Sequence, residues 1–361
     1  MTDNTEHEPA KDQQQEPDQD EKDQEAPKRR KRVTIYDIAK VAGVAPSTVS
    51  RTFARPGRVN ADTAERIRAA ARELGYREKP LPQNKSGAST NTLGFVVADV
   101  SNPVFAHIMK GFQNEATTHG YSVLLIDTRE DPKIERESIA RLAPLVDGLV
   151  LGASRLSDSA ITQIVKIRPV VSVNRIIAGL PSIVADTARG LRRLVEHLAQ
   201  LGHTRFTYLA GPPASWADGV RWRAISEAAH ELSLIVRRVG PNQPSLDGGV
   251  AAASVWLENP TSAVIAYNDM MAIGFMKAVQ QQGVRVPQDV SIAGIDNSIS
   301  SVLTTPTLTS VAPSTSQIGV RAARALITQL RHRSAPSAET IVVPMDVHVR
   351  DSLGPARPIA R

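Results

Sequence analysis

Thr34-Ile35-Tyr36-Asp37-Ile38-Ala39-Lys40-Val41-Ala42-Gly43-Val44-Ala45-Pro46-Ser47-Thr48-Val49-Ser50-Arg51 is the stretch from which the rest of the chain is read. Thr34 is placed to cap a first helix, because its hydroxyl can accept an orphan backbone N–H of the first turn. Ile35, Ile38, Ala39 and Ala42 then recur at helical spacing along one apolar stripe. Gly43 stands where that helix stops, since glycine takes the left-handed C′ conformation at little cost. Pro46 opens a second helix, having no N–H to leave unsatisfied. That helix shows Ser47, Thr48, Ser50 and Arg51, all short polar or cationic. Helix, glycine turn and a second helix with a polar outer face make a helix-turn-helix. Beyond a turn at Arg55-Pro56-Gly57-Arg58, Asn60 caps a third helix over 61–74 ending at Gly75, with Ile67, Ala70, Ala71 and Leu74 on its apolar face.

The charge distribution supports a nucleic-acid partner. Residues 1–25 hold ten acids against Lys11 and Lys22, whereas Lys28 to Lys85 holds fifteen Lys/Arg against five acids. A basic segment that small attracts a phosphate backbone. Residues 1–32 read as a disordered acidic tail ending in a basic arm, Lys28-Arg29-Arg30-Lys31-Arg32, because they have almost no large apolar residue to offset ordering entropy. The acidic part is expected to compete with DNA for the basic surface. The chain has no cysteine, which excludes disulfides, thiolate metal sites and a thiol nucleophile. There is no apolar run of membrane-spanning length and no signal-peptide pattern, so a cytoplasmic location is expected.

The boundaries follow from composition: headpiece 33–77, a linker or hinge over 78–91, a core over 92–353 and a tail over 354–361. In the core, continuous apolar runs such as Leu93-Gly94-Phe95-Val96-Val97-Ala98, Gly148-Leu149-Val150-Leu151 and Ala263-Val264-Ile265-Ala266 alternate with helical patterns. That alternation predicts parallel strands buried on both faces in a doubly wound α/β layer. Two such series are present, one from Thr92 and one from Gly190, so two α/β subdomains with a cleft between them are expected. Ligands of open α/β sheets sit outside the carboxyl ends of the strands.

These residues resemble the lactose-repressor (LacI/GalR) family of bacterial transcription regulators. The resemblance covers about 33–352. It is carried by Thr34–Ala39, Ala42-Gly43-Val44, Thr48–Arg51, Leu74-Gly75-Tyr76, Ser101-Asn102-Pro103-Val104-Phe105, Leu201-Gly202-His203, Ala266-Tyr267-Asn268-Asp269 and Val290–Asp296. It implies an all-α three-helix headpiece reading a near-palindromic operator as a dimer. It also implies a periplasmic-binding-protein-like core of two doubly wound subdomains, with crossovers near 183–187, 297–305 and 310–313, that binds a small effector, most often a sugar. Homodimer contacts are expected on helices starting near Phe105 and Ser316.

By the same resemblance, the DNA-binding candidates are Thr34, Tyr36, Pro46, Ser47, Thr48, Ser50, Arg51, Arg58 and Tyr76. Arg51 has independent support, since a guanidinium grips guanine O6 and N7 bidentately. Ser47 suits a base or a phosphate, and Pro46 either starts the helix or touches a thymine methyl. Thr48 and Ser50 suit phosphates or packing. Two departures stand out. Ala45 cannot cap the second helix. In the hinge, Pro82 falls where a helix interior is expected and Lys85 where the family places a minor-groove leucine wedge.

The effector candidates are Asp99, Ser101, Asn102, Phe105, Arg221, Asn268 and Asp296, the polar ones at strand ends. An arginine and a carboxylate can hold neighbouring hydroxyls of a polyol. Trp216 and Trp222 are each placed to stack on a sugar ring or to pack in the core, and Asp269 reads as a helix cap. The alternative function is a small-molecule-binding α/β protein or enzyme with accessory DNA binding. Against it, the chain has no G-x-G-x-x-G after the first strand, no phosphate-binding G-x-x-x-x-G-K and no G-x-S-x-G, and its histidines lack metal-ligand spacing, so no cofactor or metal is called for.

Overall fold

The computed structural model describes residues 33–54, 59–74, 89–332 and 338–357. The expectations for the acidic tail and basic arm, for Arg58 and Tyr76, and for the Pro82/Lys85 hinge lie outside the described residues. The chain divides into two compact units, with the boundary between Pro80 and Leu81.

The first unit contains α1 (Ile35–Ala42), α2 (Pro46–Ala54) and α3 (Ala61–Glu73). Thr34 caps α1 together with a partner that the sequence reading left out. Its backbone N–H and its hydroxyl each donate to one Asp37 carboxylate oxygen at 2.7 Å, the acidic half of a capping box. Gly43 ends α1 at φ 64°, and its N–H returns to the Ala39 carbonyl. At the start of α2 the Ala45 carbonyl accepts the Thr48 and Val49 N–H groups at 2.8 and 3.3 Å. Ile38, Val49 and Ile67 are fully buried among Ala39, Ala70 and Ala71. At about 25 cal/mol per Å² of apolar surface, so small a core supplies little more than the entropy of ordering three helices.

The second unit is built on two six-stranded sheets. The first runs β2 (Ser122–Asp127), β1 (Thr92–Val97), β3 (Gly148–Gly152), β4 (Val170–Val173), β5 (Ser182–Ala185), β11 (Thr340–Val343), all parallel. The second runs β7 (Ile235–Val239), β6 (Arg205–Leu209), β8 (Ala263–Ala266), β9 (Ser291–Ile295), β10 (Thr309–Pro313), β12 (Met345–His348); only β12 is antiparallel to its neighbour. The first lobe carries α4 (Pro103–Thr118), α5 (Pro132–Leu142), α6 (Asp158–Val165) and α11 (Thr315–His332), and the second α7 (Thr187–Gln200), α8 (Trp216–Glu231), α9 (Leu246–Leu257) and α10 (Asp269–Gln281). The central strands are buried along their whole length, as helices on both faces require.

The chain passes between lobes three times, at Ala185–Thr187, Pro313–Thr315 and Val343–Met345. The crossover expected over 297–305 is not one of them. That segment joins β9 to β10 within one sheet, and the Ser298 N–H is bonded to Asp269 of the same lobe. The third passage lies instead between the short strands β11 and β12. Beyond residue 353, Gly354 donates its N–H to Ser291 Oγ at 3.0 Å and Ala356 to the Leu201 carbonyl at 2.8 Å, so packing continues into the stretch expected as tail.

The helix near Ser316 also departs from expectation. Its apolar residues Ile318, Ala322, Ala323 and Leu326 are buried within the chain, against α4 and the first sheet. Two glycines bring the helices together: a Cβ at Gly111 would lie 2.2 Å from the Ser316 carbonyl oxygen, and one at Gly319 would lie 2.0 Å from that of Ile108. This face of α11 is committed inside the subunit and is not a surface for a second copy.

Candidate functional site

In the first unit, α2 exposes Ser47, Ser50 and Arg51. These positions, at i, i+3 and i+4, share one face. Pro46 and Thr48 are half-buried, and Val49 and Thr52 turn inward, with the Thr52 hydroxyl on the Thr48 carbonyl at 2.9 Å. Tyr36 on α1 is 69% exposed, which no packing role accounts for. Among the described residues, the α2 face therefore offers hydroxyl donors and the exposed guanidinium of Arg51 beyond a buried inner stripe, as insertion into a DNA groove requires.

In the second unit a cavity of about 260 Å³ lies between the lobes. Val104, Asn174 and Ile176 line it from the first lobe, and Trp216, Arg221 and Asp296 from the second. Arg221 projects from α8. Its Nη1 donates to the Tyr267 carbonyl at 2.6 Å, its Nη2 lies 3.4 Å from Asp296 Oδ1, and its guanidinium sits 4.5 Å over the Tyr267 ring. Asp296 follows β9 at φ 115°, a backbone conformation that L side chains rarely adopt. Burial pushes its carboxyl up to about 6, against the opposing pull of Arg221 and of the Asn102 side chain. Asn102 itself caps α4 of the first lobe, its Oδ1 accepting the Val104 N–H at 3.1 Å.

Asp269 lies behind Asp296 and is 1% exposed. It accepts the Ser298 N–H at 2.7 Å and the Ser310 hydroxyl at 2.6 Å. Burial, and then the charge of Asp296, raise it to about 7. A guanidinium, a carboxylate and an indole around one small cavity suit a neutral, hydroxyl-bearing ring: donors and acceptors for paired hydroxyls, and an apolar face for the ring.

Two family profiles match the chain. "Bacterial regulatory proteins, lacI family" covers residues 34–79, and "Periplasmic binding protein-like domain" covers residues 195–353. The chain thus carries a lacI-family helix-turn-helix domain and a periplasmic-binding-protein-like domain. Over 346 residues it is 28% identical to the HTH-type transcriptional regulator DegA of Bacillus subtilis, covering 90% of this chain and 99% of that one. Among solved structures it is similar to the transcriptional regulator CelR–cellobiose complex, with TM-score 0.66, 26% identity and coverage of 89% of this chain and 100% of that one. It is also similar to a lac repressor dimer bound to operator and an anti-inducer, with TM-score 0.65, 25% identity and coverage of 89% and 99%. The protein is thus a DNA-binding transcriptional regulator controlled by a small molecule, and not an enzyme.

Within that frame, Arg221 and Asp296 meet in the cavity, and Asn102 caps α4. The other effector candidates do other work in this structure. Asp99 binds its own loop, its carboxylate accepting the Ser101 N–H at 2.8 Å and the Ser101 hydroxyl at 2.7 Å. Phe105 is 6% exposed and packs in the first-lobe core, away from the cavity lining. Asn268 is fully buried with both ends of its amide engaged: Oδ1 accepts the Met271 N–H at 2.9 Å as the α10 cap, and Nδ2 donates to the Pro244 carbonyl at 3.0 Å. Asp269, expected as the cap, holds the Ser298 loop and Ser310 of β10 instead. Trp216 lines the cavity, whereas Trp222 stacks on Tyr208 with centroids 6.0 Å apart and belongs to the core. Asn174 and Asp186, which line the cavity, were missed. They follow β4 and β5, so the strand-end rule that picked out Asp296 would have found them too.

Proposed function

We propose that this protein binds a near-palindromic operator as a homodimer, probing bases with Arg51 and Ser47. It represses transcription until a sugar or sugar derivative enters the cavity between Arg221, Asp296 and Trp216. The observation carrying this reading is the Arg221–Asp296 pair, set between the lobes with an indole on the same wall. The cellobiose bound to one structural relative supports the ligand class.

A second copy of the chain accounts for apolar surface that the fold leaves outside. On α9, Leu246, Val250 and Leu257 are exposed, and the segment after β9, which packs on α10 as α9 does, adds Ile299 and Leu303, the latter 76% exposed. Apolar clusters of this kind mark interfaces. The lac repressor relative is itself a dimer on its operator. As a DNA-bound regulator of this family, the protein acts in the cytoplasm. Among the described residues no helix is long and apolar enough to cross a membrane.

Thermal-shift screening of the full chain against monosaccharides, disaccharides and nucleosides tests the ligand class. Gel shifts on selected operator DNA, with and without the best hit, test the coupling. A sugar that raises the melting temperature and releases DNA supports the proposal. Stabilisation by nucleosides alone, or DNA binding indifferent to every stabilising ligand, refutes it.

A further inference from the structure

The two lobes line the effector cavity with different chemistry. Arg221, Asp296 and Trp216, which suit hydroxyls and a ring face, come from the second lobe. Among the described residues, the first-lobe side chains that line it are apolar apart from Asn174 and Thr315; Ile108, Ile176, Val184, Ile318 and Val342 make most of that wall. Asp186, on a passage between the lobes, is engaged as the cap of α7, its Oδ1 accepting the Arg189 N–H at 3.3 Å.

Strand register builds the apolar wall. β5 and β11 pair in parallel with Val184 opposite Val342, so these two side chains leave the sheet on the same face. Ile176 joins them from the segment between β4 and β5. Ile108 and Ile318 are fully buried behind them, where α4 and α11 pack closely. Val342, by contrast, is 53% exposed and Ile176 47% exposed, although both line the cavity. Such side chains leave water only when an apolar group covers them. A hydroxyl pressed against their methyl groups would give up water and gain no partner from them, the costly case for a buried polar group.

We propose that the effector is a 6-deoxy sugar, a single ring whose hydroxyls meet Arg221 and Asp296 and whose methyl group is seated on Ile176, Val184 and Val342. The inference rests on the effector reading above and narrows its ligand class. A cavity of about 260 Å³ lies just under the range that takes drug-sized ligands, which suits one ring. Val184 and Val342 immediately precede the passages at Ala185–Thr187 and Val343–Met345, so the methyl seat stands where the chain crosses between lobes. A ligand that joins the polar side to this seat touches both lobes at once. An apolar seat discriminates by a methyl or an added hydroxyl only modestly, roughly ten- to hundredfold. A seat built of hydrogen-bonding groups would give the opposite sign.

Calorimetry on the full chain tests this with sugar pairs that differ only in the methyl or hydroxymethyl group: L-rhamnose and L-mannose, L-fucose and L-galactose, D-fucose and D-galactose, 6-deoxy-D-glucose and D-glucose. In at least one pair the deoxy member is expected to bind roughly ten- to hundredfold tighter. Val342→Thr keeps the shape of the side chain and exchanges one methyl for a hydroxyl at a half-open position. It is expected to shrink the preference to within a few-fold, chiefly by tightening binding of the hydroxymethyl sugar. Should Val342→Thr fail to fold, Ile176→Thr is judged by the same ratio. Sugar binding in which no pair favours its deoxy member overturns the proposal and leaves the sugar reading standing. A preference that the threonine variant leaves unchanged overturns it as well. So does a protein that binds none of these sugars; binding of some other sugar in the wider screen then spares the effector reading, and binding of none sinks both.

Discussion

Asp269 accepts the backbone N–H of Ser298 at 2.7 Å, and that bond fixes the loop in which Asp296 stands at φ 115°. The same carboxylate also reaches β10 through Ser310. A buried acid thus holds the turn that presents the effector-facing acid.

The protonation of this pair sets a pH dependence. Both folded-state values, about 7 for Asp269 and about 6 for Asp296, exceed the ordinary value of 3.8. The folded protein therefore binds more protons than the unfolded chain. The stability contributed is complete below 3.8 and is lost as pH rises through 6 to 7. Urea midpoints are expected to rise as pH is lowered from 8 to 6.5. Asp269→Asn, which imitates the protonated acid, should flatten that slope and match or exceed the parent at pH 8. His203, whose ring is held neutral by burial, acts in the opposite sense as pH falls below its ordinary 6.5, so the comparison belongs above that value.

Replacing Arg221 with alanine removes both hydrogen bonds and the cation over the Tyr267 ring. Charged hydrogen bonds contribute about 1.5–3 kcal/mol each, so effector affinity should fall by roughly a hundredfold or more. Operator affinity without effector should stay within a few-fold. Calorimetry with the effector and gel shifts without it separate the two.

Arg51→Ala should lose about 1–3 kcal/mol of discrimination at the base it reads. The loss should be smaller on unrelated DNA at the same salt. Ser50→Ala, on the same exposed face, should shift affinity uniformly and less. Equal losses for Arg51→Ala on operator and scrambled DNA would reduce Arg51 to a phosphate contact.

Two glycine substitutions are expected to act with opposite sign. Gly319→Ala drives a methyl to within 2.0 Å of the Ile108 carbonyl oxygen and should destabilise the core by about 1–3 kcal/mol. Gly219→Ala, in α8, meets nothing within 4 Å and should stabilise it by about 0.5–1 kcal/mol. Thermal melts of the two variants check the pair.

The strands that read easily from sequence were the continuous apolar runs, because strands buried on both faces carry no polar interruption. β7 escaped because it is an edge strand whose ladder faces carry Arg237 and Arg238. α9 escaped because it opens Leu246-Asp247-Gly248-Gly249, and its glycines serve packing: a Cβ at Gly249 would lie 2.1 Å from the Met271 carbonyl oxygen. In the site, Asp296 was legible as a polar residue at a strand end, and Arg221 through the family resemblance. Asn268 was misjudged because a polar residue between a strand and a helix looks the same whether it caps the helix or greets a ligand. Only the third dimension shows that both ends of its amide are occupied. The seat of Arg221 on Tyr267 was invisible, since 46 residues of sequence separation say nothing of a guanidinium lying over a ring.

The three passages of the chain between lobes also govern how the protein comes off the ribosome. The first lobe opens at Thr92 yet needs α11, over Thr315–His332, and β11, over Thr340–Val343, to complete it. Its buried partners Ile108 and Leu326 are separated by nearly the whole of the second lobe. Domains usually fold in order of emergence as they are synthesised, but here neither lobe closes its sheet until almost the entire chain has been made. Nascent polypeptide up to about residue 314 must therefore carry an uncovered α4 face, a window in which chaperones rather than tertiary contacts shield it. Stop codons late in the gene should cost the first lobe as much as the second.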